Sequence, residues 1–66
     1  MTKQEAQREF DFAAHCYNRA LHSEAAFIKL GEWNNAQIET DRKSDAMGEM
    51  WRLLSAYPDL DQSQVK

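Results

Sequence analysis

From Thr2 to Leu30 the chain has neither Gly nor Pro, and its apolar residues recur at helical spacing on two sides of one cylinder. At about 100° per residue, Ala6, Phe10, Ala13, Ala14, Tyr17, Leu21 and Ile28 share one stripe, while Phe12, Cys16, Ala20, Phe27 and Leu30 form a second beside it. The polar remainder, Asp11, His15, Asn18, Arg19, His22 and Lys29, is narrow. A single packing neighbour covers a stripe somewhat over 100° wide, so a helix with both stripes needs two neighbours to keep Phe12 and Phe27 out of water.

The ends of the elements are marked by local chemistry. Thr2 and Glu5 form a Thr-x-x-Glu capping pattern that starts a first helix at Lys3. Lys29 suits the negative pole of that helix, and Gly31 can take the left-handed conformation that closes it. Asn34 with Gln37 predicts the next cap, with Trp33 and Ile38 as a hydrophobic staple. The expected elements are therefore a helix over about 3–30, a turn at 31–34 and a helix over about 35–57.

On the second helix, Trp33, Ala36, Thr40, Met47, Met50, Trp51, Leu54 and Tyr57 predict one face, with Ala46 and Leu53 at its edge. Its middle is polar, with Ile38 the only large apolar residue between Gln37 and Asp45, and Gly48 costs about 1 kcal/mol relative to Ala. Fraying or bending is expected from Asp41 to Gly48. Pro58 stops the helix, since it lacks the amide that a continuing turn needs. Residues 59–66 are expected to form a flexible tail in which only Leu60 has reason to fold back.

The fold class expected is all-α. Residues 1–58 form an antiparallel helical hairpin, because a short connection lays helices side by side. With 66 residues the core is small, and a lone cysteine rules out an intramolecular disulfide. Pairing two hairpins into a dimeric four-helix bundle would cover both stripes, with Phe12, Cys16, Ala20, Phe27 and Leu30 at the dimer interface. Burying a Phe or Leu side chain contributes about 1.5–3 kcal/mol, so these residues and their mates could stabilise a pair by several kcal/mol after association entropy.

Eight Lys plus Arg against eleven Asp plus Glu give a net charge of −3 with the signs well mixed. That balance argues against phosphate binding, which starts from a basic face, so a nucleic-acid partner is not expected. No apolar run has the length to span a bilayer, and Met-Thr-Lys-Gln-Glu-Ala lacks the apolar core of a signal peptide. A cytoplasmic location is expected, and the buried free thiol of Cys16 fits a reducing compartment.

Few residues are arranged for chemistry. His15 and His22 share a face but lie about 10.5 Å apart along the axis, too far to hold one metal through helix geometry alone, so no metal or cofactor is expected. The carboxylates have basic neighbours, as with Glu39 beside Arg42 and Lys43 or Glu49 beside Arg52, which suits solvated faces better than an acid–base pair. Gly31 and Gly48 are the only glycines, so no phosphate loop exists, and the chain is not expected to be an enzyme. Trp33, Met47, Met50, Trp51 and Tyr57 are residue types that anchor interfaces, although core packing accounts for most such clusters. Trp51 and Tyr57, near the open end of the hairpin, are the candidate partner-binding residues.

The opening Met-Thr-Lys-Gln-Glu-Ala and the stretches Ala13-Ala14-His15-Cys16-Tyr17-Asn18-Arg19-Ala20 and Met50-Trp51-Arg52-Leu53-Leu54 resemble the small early proteins of lambdoid phages, encoded between the recombination and excision genes. The resemblance covers most of the chain and transfers no functional residue. It implies a protein in the host cytoplasm that modulates host physiology or the lytic–lysogenic course by binding a host protein. The alternative from another class is a nucleic-acid-associated transcriptional accessory factor, which retention on DNA at low salt would reveal.

Overall fold

A computed structural model describes residues 1–65 of the chain. Helix α1 spans Lys3–Lys29 and helix α2 spans Trp33–Ala56, and the two pack against each other along their length. Among the described residues the architecture is all-helical, with no strand. The hairpin measures 42 × 17 × 14 Å, and α1 alone, at 1.5 Å per residue, accounts for about 40 Å of that length.

Helix α1 starts where its cap predicts. The Thr2 hydroxyl accepts the Glu5 amide at 3.2 Å, and the Glu5 carboxylate accepts the hydroxyl proton in return. At the other end the Gly31 amide donates to the Ile28 carbonyl at 3.0 Å and the Glu32 amide to the Phe27 carbonyl at 2.9 Å. This pair is the double closure of a Schellman motif, and it requires the positive φ of 75° that Gly31 adopts.

The same closure corrects the start of the second helix. Glu32, which ends the closure of α1, is already the N-cap of α2, and its carbonyl accepts the Ala36 amide at 3.0 Å. The helix thus begins at Trp33, before the 35 expected from sequence, and the turn is shorter than 31–34. Asn34 does not cap. The Asn35 side chain instead reaches back to the Glu32 carboxylate at 3.2 Å, and Trp33 and Ile38 both stand exposed where a staple was expected.

The packed seam follows a heptad rhythm on both helices. On α1 the residues at the contact are Ala6, Phe10, Ala13, Tyr17, Ala20, Glu24 and Phe27, and on α2 they are Ala36, Glu39, Lys43, Ala46, Met50, Leu53 and Tyr57. Spacings of three and four alternate without a break, the signature of helices that wind gently round each other. A straight wheel drifts about 20° per heptad from such a seam. Over the length of α1 that drift carries Leu21 and Ile28 out of the predicted stripe to exposed positions and brings Ala20, Glu24 and Phe27 in. On α2 it moves Ala46 and Leu53 from the edge to the centre and leaves Trp33, Met47 and Trp51 on the flank.

The polar middle of α2 does not break the helix, which is continuous from 33 to 56. Glu24 of α1 holds it. Lys43 donates to the Glu24 carboxylate at 2.8 Å, and the Thr40 hydroxyl, 3.0 Å from the Ala36 carbonyl, donates to that carboxylate. Glu39 is buried, with Arg42 at 3.1 Å. These partnered charges occupy seam positions that a hydrophobic pattern leaves blank.

The tail is the largest departure from the sequence expectation. Past Pro58 the chain turns back along α1, and Leu60, at 4% exposure, joins Ala6, Phe10, Ala13, Ala14, Met50 and Leu53 in the core cluster. Asp59 accepts from Lys3 at 2.6 Å, Gln7 and Asp61 exchange two hydrogen bonds of 2.9 Å, and the Asn18 amide donates to the Gln64 carbonyl at 2.7 Å. Residues 59–65 therefore run as a strap along α1, held by buried Leu60 and by these hydrogen bonds; Lys66, the last residue of the expected tail, lies outside the described residues. The strap covers α1 on the flank of Ala14 and leaves the Phe12 side open.

Candidate functional site

The two flanks of the hairpin differ in what covers them. On the flank without the strap, a groove of about 440 Å³ runs between the helices, with Phe12, Cys16 and Arg19 of α1 facing Arg42, Asp45 and Glu49 of α2. Its floor is small side chains, Ala13, Ala20 and Ala46, which let the backbones approach and leave room above them. Phe12 stands at 70% exposure at one end of this groove. Beyond Phe12, toward the open end of the hairpin, a second depression of about 460 Å³ is bounded by Glu9, Glu49 and Arg52.

The predicted interface residues divide on this geometry. Phe12 and Leu30 are exposed, Cys16 and Phe27 are half-buried, and Ala20, at 3% exposure, belongs to the seam of the hairpin itself. Phe12 and Cys16 share the groove, whereas Leu30 sits at the turn end near exposed Ile28, Trp33 and Ile38. The second stripe is thus two surfaces, one mid-hairpin and one at the turn.

On the strapped flank the aromatic and methionine cluster also comes apart. Met50 is core; Trp51, at 66% exposure, and Met47 are the exposed part, beside Val65 of the strap. Trp33 lies on the same flank of α2, but eighteen positions earlier, about 27 Å away along the axis. Tyr57 is half-buried against the core cluster, and its hydroxyl donates to the Met1 carbonyl, so it pins the N-terminus and offers little surface to a partner.

His15 and His22 are exposed and border a shallow depression with Asn18 and Gln64. Among the described residues no group of three or more His, Cys, Asp or Glu side chains is placed to hold a metal ion. Among the described residues no helix is long and apolar enough to cross a membrane.

The strongest electrostatic feature is internal. The Glu24 carboxyl is held below its ordinary value, first by the hydrogen bond from Lys43 and then by that from Thr40, against the opposing effect of desolvation. The Lys3 ammonium does the same to Asp59 on the strap. A carboxyl depressed in the folded chain contributes stability that is complete above its unfolded value and is lost as pH falls through its folded value. The melting temperature is therefore expected to drop on acidification below the ordinary carboxylate range, and Glu24→Gln to flatten that part of the profile. Thermal melts by circular dichroism across acid pH check this; identical slopes for the two chains would mean that the Glu24–Lys43 contact is not formed.

Sequence reasoning set Thr40 on the packing face of the second helix, Lys43 beside Glu39 and Arg19 on the polar strip, but it did not bring Thr40 and Lys43 to Glu24 or Arg19 opposite Asp45. The signal for Glu24 and Lys43 was available, because with Glu39 they complete two unbroken heptad series, but charged residues in such a series look like a solvated face. With the geometry in hand, comparison with known proteins adds no relative: no protein-family model, no curated protein and no solved structure matches this chain.

Proposed function

We propose that the chain is a non-enzymatic interaction module that pairs into a dimeric four-helix bundle and binds a host protein through the Trp51 surface. The setting is that of the small lambdoid-phage early proteins it resembles, which implies stoichiometric action on the host. The single observation that carries the reading is the exposure of Trp51, with Met47 next to it, on the flank of a fully formed helix. A Trp left in water on a rigid element is the residue type that most often anchors a protein interface. The depressions on the surface are open and shallow in a hairpin, so binding between surfaces suits this shape better than enclosure of a small molecule.

The test is capture from bacterial lysate on the immobilised full chain, compared with Trp51→Ala, Trp33→Ala and Tyr57→Phe. Trp51→Ala is expected to lower capture of one specific protein at least about thirtyfold, the effect of losing one interface anchor, with helix content unchanged. Tyr57→Phe should retain binding, because it removes only the hydroxyl that reaches Met1. Undiminished capture by Trp51→Ala overturns the assignment, and loss with Trp33→Ala alone moves the surface to the turn end.

A further inference from the structure

The groove between Phe12 and Arg42 carries a charge pattern that selects its occupant. Arg19 and Asp45 line its opposite walls, yet neither makes an ion pair among the described residues. Their neighbours do: Arg52 lies 2.7 Å from Glu49 and, loosely at 4.0 Å, reaches Glu9 across the hairpin. The α1 wall carries Arg19 and, beyond Phe12, Glu9, while the α2 wall carries Arg42, Asp45, Glu49 and Arg52, so an all-acidic or all-basic ligand would meet repulsion along the groove. What fits is a surface of mixed charge with an apolar projection at the level of Phe12.

A second copy of this chain presents such a surface. We infer that the groove face is where the two hairpins dock, with the two-fold axis parallel to the helices, so that Arg19 meets the partner's Asp45 and Phe12 enters the depression beside the partner's Glu49 and Arg52. This rests on the reading that hairpins pair, and it fixes the face and the symmetry. A two-fold in the interface plane has two orientations along the hairpin frame. The perpendicular one reverses levels and lays each helix on its own mate, so Arg19 on α1 never meets the partner's Asp45, and an axis at the level of Asp45 to Glu49 sets those carboxylates of the two α2 helices against each other. The parallel one keeps levels and lays α1 on the partner's α2, which opposes Arg19 to Asp45 twice and Glu9 to Arg52 twice. Like charges brought together in an interface cost several kcal/mol, so charge decides between the two axes. The apolar part agrees. Phe12 and the depression beside it are at the same level of the hairpin, which is where a level-preserving axis delivers the partner's Phe12.

Sedimentation equilibrium on the full chain tests the arrangement, with Phe12→Ser, Arg19→Glu, Asp45→Lys and the double variant R19E/D45K beside the wild type. All three side chains are exposed in the single hairpin, so circular dichroism should show unchanged helix content throughout. The wild type is expected to be dimeric at micromolar concentration. Each single charge reversal should raise the dimer dissociation constant about tenfold or more, and the double variant should return it to within about threefold of the wild type. Phe12→Ser should leave a folded monomer. A monomeric wild type overturns the pairing itself. A wild-type dimer indifferent to the reversals, or a double variant no better than the singles, leaves pairing standing and overturns this face and axis.

Discussion

Phe10→Ala is expected to leave the chain without a stable hairpin at 25 °C. Phe10 has no exposed surface, and with Leu53 it is the largest side chain so enclosed. Truncating a buried Phe costs about 3–5 kcal/mol, from lost burial and from the cavity that neighbours fail to close. A domain of this length has a total stability on the order of 3–10 kcal/mol, so most of it goes with one ring. Phe12→Ala supplies the control, since it removes the same ring two positions away. At 70% exposure, that change should alter the stability of the single hairpin by no more than about 0.5 kcal/mol. Melts at concentrations below association, followed by far-ultraviolet circular dichroism, separate the two: a cooperative helix signal lost in one variant and intact in the other. Equal behaviour would mean that the seam on α1 is assigned to the wrong stripe.

That contrast also shows what the amino-acid order makes legible. Two phenylalanines two residues apart belong to two stripes, and periodicity alone separates them onto different sides of a helix. It does not say which side the second helix takes. Local chemistry carried further: Thr2 with Glu5 and Gly31 mark the ends of α1 because caps and left-handed closures involve only neighbouring residues. Asn34 misled because the closure at Gly31 already places Glu32 at the start of the next helix, a competition between two adjacent signals. Glu24 and Lys43 fall in the heptad series yet read as solvated charges, because each is tolerable inside only through the other, from a different helix. The candidate surfaces follow the same division. Trp51 stands out as a residue type, whereas the opposition of Arg19 and Asp45 across a groove exists only once the antiparallel register of two helices is known.

The strap was missed for a related reason, and it leads to the second large effect. A single Leu between Asp59 and Asp61 has reason to fold back but no periodicity, so the local pattern does not say where Leu60 docks or that residues 61–64 follow it along α1. Its burial comes from the gap left beside Ala6 and Ala14, two small residues that α2 alone does not cover. Leu60→Ala is therefore expected to cost about 2–5 kcal/mol, as for other buried leucines. At about 4–8 °C per kcal/mol in a domain this small, the melting temperature should fall by at least about 8 °C. Asp59→Asn is the comparison. It breaks the contact with Lys3, an exposed ion pair of a kind that adds little to stability, so it should lower the melting temperature far less. Hydrogen exchange adds a local measure, because the Asp61 amide is bonded to the Gln7 side chain at 2.9 Å and should be protected in the wild type but not in Leu60→Ala. If Leu60→Ala and Asp59→Asn melt together near the wild type, the strap is peripheral and the two helices are stable without it. If they separate as argued, the chain's own C-terminal strap is the neighbour that α1 requires on one flank, and only the Phe12 flank is left for a partner to cover.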